Sequence, residues 1–250
     1  MKTKAAFALP PLVFFSILSG CVRVPEIEVV AGVDVCSECH MVIDRVNQAA
    51  GFVQGNKFVT FDSPGCLLRH LESMPKNERP QPADIYLADY RTGFFQSADL
   101  SAFLLTSHIP TVMNAEVVVF SDAEGAMNAR EHADEMVTDW VGYWTERGTP
   151  DTVLEVVFGP GGMEPEIVEA AKDDLVQLRV VGRGLDSDLT LSIRGYPEAG
   201  AITIPASGDT VEVRFLALKP GAGFPIGGTQ GDPMGMLRVT GAHTEDEAVR

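Results

Sequence analysis

Apolar and polar positions alternate over "AAGFVQG" and again over "KFVTF", with Gly55-Asn56 between them, which predicts a β-hairpin ending at Asp62. The period then changes. In "SPGCLLRHLESM" the apolar residues Leu67, Leu68 and Leu71 recur at helical spacing, Pro64 suits a first turn, and Asp62 or Ser63 can cap it. "ADIYLADY", Ala83 to Tyr90, reads as a further strand. "EVVVF" ends at Phe120 and leads through Ser121-Asp122 into the helix-like "AEGAMNAREHADEM". Strand, phenylalanine, capping residue and helix therefore occur twice, which predicts an α+β amino-terminal domain of two strand-strand-helix-strand units. The polar, aromatic stretch "YWTERGTP" then ends in a Gly-Thr-Pro break. Beyond Asp151, "TVLEVVF", "DLVQLRVVG", "SDLTLSIRG", "AITIPA", "DTVEVRFLAL" and "GMLRVTG" are short strands separated by Gly, Pro and Asp, the signature of an all-β sandwich.

The chain has 250 residues, 45% of them hydrophobic and 22% charged, enough for two cores. Its start changes the picture. A basic Met1-Lys2-Thr3-Lys4 precedes an uncharged run to Gly20, too short to span a bilayer comfortably, and Leu18-Ser19-Gly20-Cys21 resembles the lipobox of bacterial lipoproteins. The expected organisation is a signal peptide over 1–20, lipidation at Cys21, a tether over 21–33, a metal-binding domain over 34–148, the sandwich over 151–243 and an acidic tail over 244–250. Such a protein is exported and held on a membrane facing the periplasm or cell exterior, the outer membrane where there is one. Without Lys2 and Lys4 the chain has 17 basic and 35 acidic residues, a net charge of −18 spread over both halves, so nucleic acid is not an expected partner.

Chemistry concentrates in "CSECHM", Cys36 to Met41. The C-x-x-C-H pattern is that of covalent haem attachment, in which His40 is an axial ligand and a second is still needed. A zinc site needs another ligand pair, for which Cys66 and His70, one helical turn apart, are candidates. Cuprous ion accepts thiolate, thioether and imidazole, and this hexapeptide has all three. Cys36 and Cys39 can also cycle between dithiol and disulfide in an oxidising compartment, with Cys66 as a buried apolar residue.

"CSECHMVI", "QAAGFV", "FVTFDSPGCLLRHL", "DIYLADYRTGFF" and "IPTVMNAEVVVFSDAEGAMN" occur in the order seen in the NosL family, and over about residues 34–133 the chain resembles these lipid-anchored copper proteins associated with nitrous oxide reductase. The resemblance implies Cu(I) as cargo, delivery to nitrous oxide reductase or another extracytoplasmic copper protein, and no catalysis. It implies Cys36, Cys39, Met41 and Met113 as metal ligands. Where the family has Thr-Pro-Met-Gly, this chain has Thr111-Val112-Met113-Asn114. The second domain resembles cupredoxin-like domains in "AITIPASGDTVEVRFLALKPGAGFPIGG" and "DPMGMLRVTG". The blue-copper cysteine and histidines are missing, Gly227 or Gly228 standing near the cysteine position. That leaves Met163, Met234 and Met236 as a weak thioether set or, preferably, core packing. An extracytoplasmic thiol-disulfide protein and a c-type haem electron carrier are the rival readings.

Overall fold

The computed structural model describes residues 26–228 and 232–241. The signal peptide, Cys21 and the acidic tail lie outside the described residues. Three α-helices and sixteen strands are present among them, and no helix is long and apolar enough to cross a membrane.

The first sheet contains β1 (Ala50–Gln54), β2 (Lys57–Phe61), β3 (Ile85–Ala88) and β4 (Phe95–Ser97) in the order β2-β1-β3-β4, all antiparallel. Helix α1 (Pro64–Ser73) lies between β2 and β3 in sequence and buries Cys66, Leu67, Leu68 and Leu71. The second sheet has β5 (Ala102–Leu105), β6 (Val117–Phe120) and β7 (Met136–Thr138) in the order β6-β5-β7. Helix α2 (Ala123–Ala129) precedes β7 and is capped by Asp122, which accepts from the Gly125 amide at 2.6 Å. This helix is shorter than its pattern suggests. Glu135, nearly buried, accepts the Glu131 and His132 amides and the Thr106 hydroxyl, and so fixes residues 131–135 as a turn.

The aromatic stretch before the Gly-Thr-Pro break is itself a helix, α3 (Trp140–Arg147), capped by Asp139. Its Tyr143 stacks on Phe103 at 4.9 Å inside the amino-terminal core. The residues expected to form the end of the tether are also folded. Val29 joins the core, and the Gly32 amide donates to the Ile43 carbonyl at 2.9 Å.

The remaining strands are β8 (Thr152–Gly159), β9 (Gly162–Glu164), β10 (Ile167–Ala171), β11 (Leu175–Gly182), β12 (Leu189–Ile193), β13 (Ile202–Ile204), β14 (Thr210–Leu216), β15 (Gly221–Gly227) and β16 (Gly235–Thr240). They form a sandwich of two sheets, β14-β11-β8-β9 and β10-β16-β15-β12-β13, parallel only at β8/β11 and β10/β16. Alternating inward residues of both sheets build its core. The sequence pattern missed β9, β10 and β15. Each is short, glycine-rich or interrupted by Pro or Ala, so alternation is hard to see.

The sandwich is joined closely to the first region. Leu175 and Leu216 enter the amino-terminal core, and Arg214 donates to the carbonyls of Thr145, Glu146 and Gly148, which end α3. Lys76 pairs with Asp174 and lies 3.2 Å from Asp151. Burial pushes the Asp174 carboxyl up. Lys76, the Thr152 hydroxyl and the Ala171 amide outweigh that and hold it below its ordinary value. Asp89 is likewise buried yet held low by the amides of Ser121, Thr92 and Arg91. Both carboxylates are therefore more acidic folded than unfolded, and their contribution is complete above about pH 4 and lost as pH falls below it. The urea midpoint is expected to stay level from pH 7 to about 5 and to drop below about 4. In Asp174→Asn the midpoint starts lower and falls less steeply over the same acid range.

Candidate metal centre

The C-x-x-C loop is built by backbone bonds. Val35 and Val42 form an antiparallel bridge, the Cys36 amide donates to the Met41 carbonyl at 2.8 Å, and the His40 amide donates to the Cys36 carbonyl at 2.9 Å. His40 takes a left-handed conformation with φ 61°, which lets the chain reverse within six residues. The loop is fastened to β2 on both sides, by the Ser37 amide to the Thr60 carbonyl and by the Thr60 hydroxyl to the Val35 carbonyl. Cys36 is consequently sealed inside and Cys39 half-buried.

At the end of β2, Asp62 is 3% exposed, and Ser63 rather than Asp62 caps α1 by accepting the Cys66 amide at 3.2 Å. Cys66 thus occupies the first turn of α1 and points inward. The result is a cluster: the sulfurs of Cys36, Cys39 and Cys66 and a carboxylate oxygen of Asp62 all lie within 4.8 Å of one another. Cys39 donates to Asp62 Oδ2 at 3.1 Å, Cys36 donates to Oδ1 at 3.5 Å, and the Ser63 hydroxyl donates to Oδ1 at 3.1 Å. Arg69 donates to Cys66 Sγ at 3.0 Å. All three cysteines are free thiols.

Burial pushes the Cys39 thiol up to about 11. The Asp62 carboxylate adds to the rise, and the Met41 backbone opposes it. Burial raises Cys66 further, again helped by Asp62. Three sulfurs around a carboxylate repel one another as anions. A cation at their centre is what makes the ionised set favourable, and the donor chemistry suits a soft ion.

The other candidates lie outside this cluster. His40 is exposed, and His70 Nδ1 lies 3.3 Å from Glu38 with its ring 5.0 Å from Phe61. Met41 is 53% exposed and Met113 47% exposed. Met41 nevertheless shares a cleft of about 260 Å³ with Asp62 and with Thr111 and Val112, the residues leading to Met113. Met113 and Asn114 both have positive φ, 53° and 51°, and Asn is among the few residues tolerant of that conformation. Asp62 is the donor that reading the sequence missed. Its signal was two adjacent capping residues, Asp62-Ser63, where a helix needs one.

Cys36 has no exposed surface and its sulfur faces Asp62, which leaves no access for the edge of a covalently attached haem. The sandwich has no cysteine or histidine among its described residues. Met163 is buried in its core with Met234 packed against it, while Met236 on β16 is half-buried.

The NosL family model matches residues 28–134. No curated protein matches the sequence. Similar solved structures include auracyanin B, 14% identical with a TM-score of 0.28, covering 37% of this chain and 91% of that one. Another is the Cu-containing nitrite reductase (NirK) from Thermus scotoductus SA-01, 11% identical with a TM-score of 0.28, covering 59% of this chain and 43% of that one. The chain thus spans less than half of that reductase. The stretch that matches the NosL family model, residues 28–134, contains the whole sulfur–carboxylate cluster and the Met41 cleft.

Proposed function

We propose that the protein is an exported, lipid-anchored carrier of Cu(I) that passes the ion to nitrous oxide reductase or another extracytoplasmic copper protein, without catalysing a reaction. The observation that carries this reading is the buried Cys36, Cys39, Cys66 and Asp62 cluster beside a cleft rimmed by the exposed thioether of Met41. A soft donor set can retain cuprous ion, and a thioether at the mouth offers a weaker stop on the way out. The match to the NosL family model favours copper as the cargo. Cys21 is the proposed lipid attachment. The domain limits are read as 34–148 and 151–243, and the amino-terminal domain as two related units. One carries the cluster; the other carries the Met113 segment and shares with it the order second, first, third strand.

One observation favours a second reading. Four donors converge, three sulfurs and a carboxylate, which is a complete set for a closed zinc site. Competition decides between them. The reduced mature protein is expected to take one equivalent of Cu(I) from a chromophoric chelator and to release pre-bound Zn(II) as it does so. Zinc retained against an equal concentration of Cu(I) would make the cluster a structural zinc centre.

A further inference from the structure

The ribbon that carries the metal loop has two different faces. Cys36 and Ile43 point into the core with no exposure, while their neighbours Val35 and Val42, directly paired across the bridge, are 46% and 48% exposed. Residues opposite one another in an antiparallel pair project to the same side, so these valines form one apolar surface. Met41, next to Val42, and Val30 and Val33, in the turn leading into the ribbon, are exposed too, Val33 at 70%. Asp34, between Val33 and Val35 in sequence, is turned back to accept the Val30 amide at 2.6 Å. Five exposed apolar side chains within thirteen residues are an unusual concentration for a chain with a formal net charge of −16.

What lies before this ribbon indicates what covers it. The described chain begins at Glu26, only five residues after Cys21, a span of at most about 18 Å when fully extended. An acyl group on Cys21 therefore holds Val30 to Val42 close to the lipid headgroups. We propose that this ribbon is a membrane-contacting face: Val30, Val33, Val35 and Val42 rest in the lipid interface, with the Met41–Asp62 cleft opening at its border. The inference rests on the anchored reading above. Glu26, Glu28 and Asp44 are exposed around the ribbon and outnumber the exposed Arg45, so the matching surface is zwitterionic lipid, not anionic lipid.

Amide hydrogen exchange of residues 29–43 tests this in phosphatidylcholine nanodiscs. The acylated mature protein is compared with Cys21→Ser free in buffer, and with a chain whose residues 1–21 are replaced by hexahistidine and held on nickel-chelating lipid. Exchange over the ribbon is expected to slow roughly tenfold in both disc-bound forms. The Val33→Ser/Val35→Ser/Val42→Ser protein is expected to stay attached but lose the slowing, and phosphatidylglycerol in the disc should reduce it. Ribbon exchange as fast on both kinds of disc as in buffer would overturn the proposal and leave the patch to a protein partner. Failure of the expressed protein to associate with discs would instead remove the Cys21 anchor. The histidine-tethered form would still report whether the ribbon meets lipid.

Discussion

Replacing Cys36 and Cys39 together by serine is expected to weaken Cu(I) binding by at least about a hundredfold. Metal sites of four protein donors are worth on the order of 10–16 kcal/mol, about 3 kcal/mol per donor, and each 1.4 kcal/mol is tenfold in affinity. Serine keeps the shape and can still donate to Asp62, but its hydroxyl is a hard, neutral oxygen in place of a soft thiolate. The fold is expected to survive, because the bonds that close the loop run between backbone groups and Thr60. Chelator competition gives the affinity and far-ultraviolet circular dichroism checks the fold. Met113→Leu is the informative companion. An unchanged affinity there assigns retention to the sulfur–carboxylate cluster, and a comparable loss moves the holding site to the methionine side of the cleft.

The second large effect is expected from a residue far from the cluster in sequence. Leu175 belongs to the sandwich but is fully buried in the amino-terminal core. Leu175→Asp removes a large apolar contact and places an unpaired carboxylate there, a combination that costs about 4 kcal/mol or more. Urea unfolding followed by the fluorescence of Trp140 and Trp144 should show the midpoint collapse, with Cu(I) retention lost alongside it. Truncation after Pro150 should act in the same way, since it removes Leu175, Leu216, Arg214 and the partner of Lys76 at once. Normal stability and copper binding in Leu175→Asp would mean that the two regions fold independently.

Much of this architecture was legible in the sequence because it is written in local patterns. The hairpin around Gly55-Asn56, the capped helix at Ser63 and six sandwich strands all follow from alternation, helical spacing or turn residues within a few positions. What was hidden depends on distant partners. Tyr143 to Pro150 read as a polar, aromatic break, yet Tyr143 is ordered by Phe103 and the helix end by Arg214. Residues 29–33 read as tether because their pairing with Ile43 lies beyond any local window. The cluster was half legible. Cys36 and Cys39 announce themselves by spacing, whereas Cys66 and Asp62 join them only because Thr60 fastens the loop to β2 and sets it over the start of α1.

That fastening bears on how a carrier can work repeatedly. The backbone bonds that close the Cys36–Met41 loop, and the two that fasten it to Thr60, use no sulfur. Its closure is settled by folding, unlike small zinc modules whose chain collapses only around the ion. Taking up or giving away an ion then requires no refolding, and bound copper raises the melting temperature only by mass action, logarithmically with free copper over its dissociation constant. Under the proposed carrier role, a chain that has given up its ion would keep the shape it arrived with, ready for the next ion as soon as it meets one.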